Sequence, residues 1–171
     1  MKKTLFTIFF YFIITAANSQ SNVAPAIAEN KLYNPSSNAK KEIQEAIAKA
    51  KQQNKHVLVK AGGNWCSLCI EFDKFCRNEM QVDSLIKADY IVCYLNYSEE
   101  NYNDEIFAQY GYPQRLGFPL FIILDGNGNR LHTQSSEYLE QGRSYNKRKV
   151  MGFLQAWNKE ALNPALYKRN K

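Results

Sequence analysis

This sequence lacks the long apolar run that an ordinary bilayer-spanning helix needs. The longest uncharged apolar run, Leu5 to Ala17, has 13 residues, against roughly 20 for a spanning helix. Lys2 and Lys3 precede the run, and Ala17-Asn18-Ser19 follows it with small residues where a signal peptidase reads, so residues 1–19 form an export signal. An uncleaved signal segment acting as an anchor is the alternative, and no cysteine stands at the cleavage point to carry a lipid. Cysteine is scarce as well: four residues are too few for a small disulfide framework, so their placement matters more than their number. The chain also lacks the low hydrophobicity of a disordered segment, the glycine period of collagen and the sustained heptads of a coiled coil. With 45% hydrophobic residues in 171, it can close one core without staples. The net charge of +6 includes two lysines of the signal. Basic residues cluster at Arg143 to Lys149 and in the tail Lys168-Arg169-Asn170-Lys171, without the aromatic-interleaved basic face of a nucleic-acid reader. Nucleic acid is therefore not an expected partner.

Residues 20–37 are rich in Asn, Ser, Ala and Pro and lack periodicity, which predicts a loosely structured leader. Ile43, Ala46, Ile47 and Ala50 predict a helix over about 38–54, and His56 to Ala61 a buried strand stopped by Gly62-Gly63. A second helix is expected from Cys66 to about Met80, with Cys69, Phe72, Cys76 and Met80 on one face. Tyr90 to Asn96 reads as a strand, Asp104 to Tyr110 as a helix, and Phe118 to Leu124 as an apolar strand. Asp125 to Asn129 then makes a hairpin turn into a return strand at Arg130 to Thr133. A closing helix carries Val150, Phe153, Leu154, Trp157 and Ala161. This order implies an α/β domain over 38–161, with a mixed sheet of about four strands and helices on both faces, followed by a basic flexible tail at 162–171.

The chemistry centres on Asn64-Trp65-Cys66-Ser67-Leu68-Cys69, a Cys-x-x-Cys where a strand hands over to a helix. At a helix N-terminus the first cysteine faces unpaired backbone N–H groups, which favour thiolate over thiol. The second, three residues on, lies on the same face within disulfide reach. Cys66 is thus expected to be an exposed nucleophile and Cys69 a buried resolving thiol. Zinc would need four ligands, and Cys76, Cys93, His56 and His132 are scattered, so no metal or other cofactor is expected.

With these features the sequence resembles the thioredoxin-like thiol:disulfide oxidoreductases. It is most similar to the C-terminal domain of periplasmic thiol:disulfide interchange proteins and to exported disulfide isomerase-like proteins. The resemblance covers about 38–161 and rests on Val57-Leu58-Val59, the Cys66–Cys69 motif, Glu71-Phe72-Asp73-Lys74, Tyr110-Gly111, and Gly117-Phe118-Pro119 running into Leu124-Asp125-Gly126-Asn127-Gly128. It implies a thioredoxin fold and a redox-active pair, Cys66 and Cys69. It also implies a cis proline at Pro119 against the disulfide, with Phe118 and Trp65 meeting an extended substrate segment. Two departures stand out. Where many thioredoxins bury an acid six residues before the first cysteine, this chain has Lys60. Asp73, four residues after the second cysteine, matches an acid of the interchange-protein domain and is the candidate proton acceptor; a solvated helix residue is the other reading. Ser67-Leu68 between the cysteines matches neither thioredoxins nor strong oxidants, so it leaves the redox potential open.

The resemblance implies an exported enzyme in the periplasm, working in the reductase or isomerase direction. Its partners would be cysteine-containing exported proteins and a membrane or periplasmic electron donor. A redox-inactive binding module that presents the Pro119 groove is the rival reading. Cys76 and Cys93 are expected as buried free thiols rather than a second disulfide. Asp125, Asn127 and Asn129 imitate half a calcium loop but are better read as a turn, because Arg130 and Ser136 occupy the required glycine and glutamate positions. Asn96-Tyr97-Ser98 is a glycosylation sequon by pattern alone. Gln134 to Asn146 reads as a long polar loop that either borders the site or is a neutral insertion.

Overall fold

The computed structural model describes residues 31–169. The expected export signal, residues 20–30 of the leader and the last two residues of the tail lie outside the described residues. Helix α1 spans Ala39–Gln52. Asn38 caps it, accepting the Lys41 N–H at 3.0 Å, while Glu42 in the first turn and Lys49 and Lys51 in the last complement the helix dipole. Its Ile43, Ala46 and Ala50 are buried as the 3.6-residue period requires.

Strand β1, His56–Gly62, is buried along its whole length. It pairs in parallel with β2, Tyr90–Asn96, and antiparallel with β3, Leu120–Leu124, which pairs in turn with β4, Arg130–Ser135; the order is β2-β1-β3-β4. A continuous apolar strand such as β3 belongs at the centre of a sheet covered on both sides. Alternation sorts its side chains: Leu120, Ile122 and Leu124 join Val57, Val59, Ala61, Cys93 and Leu95 under α1 and α4, the latter spanning Asp104–Gln109. Phe121 and Ile123 join Leu58 on the other face. That face is covered by α2 (Ser67–Asn78), α3 (Met80–Asp89) and α5 (Lys147–Ala156). The fold is the expected mixed four-stranded α/β sheet with helices on both faces.

Three local expectations are corrected. The second helix stops at Asn78, because Glu79 takes an extended conformation (φ −89°, ψ 94°), and a separate helix follows whose Val82 and Ile86 are buried one turn apart. No glycine or proline marks that break; it is made by packing α3 against α2, α5 and β2. The polar loop at 134–146 is structured. β4 continues to Ser135, a 3-10 turn covers Ser136–Leu139, and β5 (Glu140–Gln141) pairs with β6 (Ser144–Tyr145), burying Leu139 and Tyr145 in the α2-side core. The closing helix ends at Ala156, leaving Ala161 beyond its stripe.

Cys76 and Cys93 are buried and free, as expected. Cys76 belongs to the core on the α2 side of the sheet and Cys93 to the core on the α1 side, so the sheet itself separates them. Burial pushes both thiols up to about 12. Both are therefore protonated and shielded at neutral pH, and thiolate is the reactive form. The oxidised native chain is expected to take up no alkylating agent, and the same chain in denaturant to take up two equivalents. Any labelling of Cys76 or Cys93 before denaturation would contradict this packing.

Candidate active site

The turn from β1 into α2 forces the backbone against sulfur. A Cβ at Gly62 would lie 2.4 Å from Cys69 Sγ, and one at Gly63 would lie 2.4 Å from Trp65 Nε1 and 2.7 Å from the Tyr97 carbonyl. Only glycine allows both approaches. Cys66 then caps α2: its Sγ accepts the Cys69 N–H at 3.1 Å. Cys66 and Cys69 are joined as a disulfide, with Cα atoms 5.2 Å apart. At this N-terminus the free backbone N–H groups and the helix dipole favour negative charge on the first sulfur.

Cys66 is not the exposed residue that its position suggests. It is only 5% accessible, against 2% for Cys69. Its sulfur is turned inward as the helix cap, and Leu68, Phe118 and the segment Leu32-Tyr33 close over the pair. The exposed member of the motif is Trp65, 60% accessible, whose indole N–H donates to the Tyr97 carbonyl at 2.7 Å. Its ring meets Phe118 edge-on at 5.8 Å, and Phe118 stacks on Tyr97 at 4.7 Å. The Phe118–Pro119 peptide bond is cis. Trp65, Phe118 and Tyr97 thus form one aromatic wall, Phe118 packs against the cysteine pair, and Pro119 follows it through the cis bond.

One turn along α2 from Cys69 lies an ion pair. Alternation along β1 sends Lys60 to the same face as Leu58, where its Nζ sits 3.2 Å from Asp73 Oδ1; both side chains are almost fully buried. Tyr94, opposite Lys60 in the β1–β2 register, donates its hydroxyl to the same oxygen at 2.6 Å. Arg77, one turn along α2 and largely exposed, holds Oδ2 at 2.7 Å. The Lys60 ammonium also lies 5.4 Å from the ring centroids of both Phe72 and Tyr94. Burial and the bonded Asp73 carboxylate push the Tyr94 hydroxyl well above the usual phenol range, so it stays a donor. Asp73 is therefore a buried residue rather than a solvated one, standing one turn beyond Cys69. A cleft of about 320 Å³ bounded by Leu32, Asn64, Lys74 and Arg77 reaches it from the side of α2.

The leader is not loose where it is described. The Tyr33 N–H donates to Asn64 Oδ1 at 3.1 Å and the Asn64 amide returns a bond to the Tyr33 carbonyl at 2.7 Å, a two-point clamp. Tyr33 is 2% accessible and meets Tyr94 edge-on at 5.7 Å. Sequence reasoning missed it, since a single apolar pair in a polar stretch carries no period. Arg77 could have been found from its i, i+4 spacing to Asp73, and Tyr94 from strand alternation.

The remaining motifs fall elsewhere. Asp125 accepts the backbone N–H groups of Asn127 and Asn129 and the Asn129 amide, closing a hairpin turn. Asn96 of the sequon is buried and donates its amide to Ser98 and to the Asn101 carbonyl, so it does not face an acceptor route for glycan. His56 bonds the Trp157 carbonyl and His132 stacks on the Trp157 ring. Among the described residues no group of three or more His, Cys, Asp or Glu is arranged to hold a metal, and no helix is long and apolar enough to cross a membrane.

Comparison with known proteins places this geometry. No curated protein matches the chain. Among solved structures, a disulphide isomerase from Xylella fastidiosa Temecula1 is 26% identical, with a TM-score of 0.66, over 75% of this chain and 97% of its own. A thioredoxin from Thermus thermophilus (20% identity, TM-score 0.47, over 65% and 79%) and a DsbH oxidoreductase (21%, 0.49, over 66% and 79%) are more distant. A family model described as thioredoxin-like matches residues 38–126. That match takes in α1, both cysteines of the pair, the cis proline and the whole of β3, and the chain accordingly belongs to the thioredoxin-like family.

Proposed function

We propose that the chain is an exported thiol:disulfide oxidoreductase that exchanges disulfides with cysteine-containing exported proteins, in the reductase or isomerase direction. The observation that carries this reading is the Cys66–Cys69 disulfide at the start of α2 with a buried carboxylate one turn behind it. The likeness to the disulphide isomerase, which spans nearly all of that protein, supports the direction.

In the reducing direction the Cys66 thiolate attacks one sulfur of a substrate disulfide. An S–S bond forms to Cys66, and the first substrate sulfur leaves as thiolate and takes a proton from water. The substrate segment lies against Phe118 and Pro119, beside the Trp65 ring. Cys69 then passes its proton to Asp73 and attacks Cys66 Sγ, expelling the second substrate sulfur. The pair ends oxidised and the substrate gains two electrons. The side cleft lets Asp73 return its proton to water while the front is covered by substrate. Re-reduction needs an electron donor, which we place in the membrane or periplasm. Export rests on residues 1–19, and an uncleaved anchor is the alternative.

The burial of Cys66 favours a second reading, a redox-inactive module whose Pro119 groove binds a partner. Mild reductant separates the two: an active pair releases two thiols reversibly, a locked pair none. Under the first reading, Cys66→Ser abolishes insulin reduction and Cys69→Ser accumulates mixed disulfides with substrate. Turnover at the wild-type rate in the Cys66 variant would sink it.

Asp73 gives a separate test. Asp73→Asn, which can still accept from Lys60 and Tyr94, is expected to slow resolution of the mixed disulfide about a hundredfold, within the range for a lost general base. Asp73→Ala strands the buried Lys60 and is expected to lower stability by about 3–5 kcal/mol in denaturant unfolding. An Asn variant that resolves at the normal rate would reduce Asp73 to a structural partner of Lys60.

A further inference from the structure

The Leu32–Tyr33 segment lies ahead of the residues that match the family, yet Tyr33, Cys66 and Cys69 form one small buried cluster. The space that a Gly62 Cβ would fill is bounded by Cys69 Sγ at 2.4 Å and by the Tyr33 phenol oxygen at 3.0 Å. The ring is fixed from two sides, by the Asn64 clamp on its backbone and by Tyr94 against its edge. Its hydroxyl finds no acceptor among the described residues, since the hydrogen bonds of Tyr33 run through its main chain. The phenol oxygen and a sulfur that must carry charge during exchange thus border one space, with no hydrogen bond between them while the disulfide is closed.

We propose that the Tyr33 phenol donates a hydrogen bond to Cys69 when the disulfide opens and that sulfur becomes a thiolate. This rests on the thiol exchange proposed above and adds to it a residue from outside the family domain. Breaking the S–S bond reductively places two electrons on the sulfurs; Cys69 then alternates between thiol, with its proton, and thiolate, with the proton on Asp73. The phenol gives up no proton. Burial and the nearby Asp73 charge hold it far above the usual phenol range, so it remains a donor at every working pH. Other charged or titratable groups also surround this end of α2: Lys60 from β1, Asp73 and Arg77 from α2 itself, Tyr94 from β2, and Cys66. Replacing the phenol leaves all of them in place.

The test uses the full chain with Cys66→Ser, so that Cys69 stays a reduced thiol without its disulfide partner, and follows the assigned Cys69 Cβ chemical shift by NMR as pH rises, below the range in which the buried Cys76 and Cys93 ionise. Tyr33→Phe keeps the ring and its edge contact with Tyr94 and removes only the donor. Its Cys69 ionisation midpoint is expected to rise by about one pH unit, a tenfold loss in ionisation constant, as suits a lost hydrogen bond to a charged acceptor. A midpoint that stays put or falls overturns the proposal. Where Tyr33→Phe does not fold, Asn64→Ala carries the test. It unties the clamp that delivers the phenol and is expected to raise the midpoint likewise, and no change there overturns the proposal equally. The titration needs no substrate turnover, so it stands apart from the insulin assay that decides the exchange reading.

Discussion

A lysine buried in a sheet has to be answered by charge. Lys60 leaves β1 on the face that α2 covers, and one carboxylate, Asp73, meets it there. Leaving either unpaired would cost several kcal/mol. That demand fixes the rotation of α2 about its own axis, because Asp73 can face Lys60 only when Cys69, one turn earlier, faces Gly62. Tyr94 and Arg77 then fill the remaining positions around the carboxylate. The same pairing that seats the helix puts an acid beneath the sulfur, so the structural constraint and the chemical opportunity are one contact.

Much of this was legible in the sequence where the signal is periodic or local. The buried strands, the buried stripes of α1 and α5, the Cys-x-x-Cys at a helix start and the turn at Asp125 all follow from spacing and turn chemistry. What escaped depends on tertiary contacts. Glu79 breaks a helix without glycine or proline because α3 has to pack elsewhere. The exposure of Cys66 was misjudged because the residues that cover it, Leu32 and Phe118, come from distant parts of the chain. Lys60 and Asp73 each stand out in the sequence, but only the register of β1 against β2 and the seating of α2 show that they share one buried space with Tyr94.

Tyr33 shows why a compositional boundary can mislead. Residues around it are polar and aperiodic, which is the pattern of a leader, and two hydrogen bonds to one asparagine override that pattern. Asn64 lies within the active-site motif, so the turn that presents the cysteines also holds the segment that covers them. Fold and cover are coupled through a single side chain.

The small hairpin of β5 and β6 adds one more consequence. Tyr145 donates its hydroxyl to the Leu68 carbonyl at 3.0 Å, and the Ser144 hydroxyl bonds Glu71 at 2.8 Å, so the first turn of α2 is moored from outside the motif. When the link between Cys66 and Cys69 is broken, that turn still has two non-covalent moorings. Under the proposed exchange the redox change would then be confined to the sulfurs, with the helix start the same platform before and after each cycle.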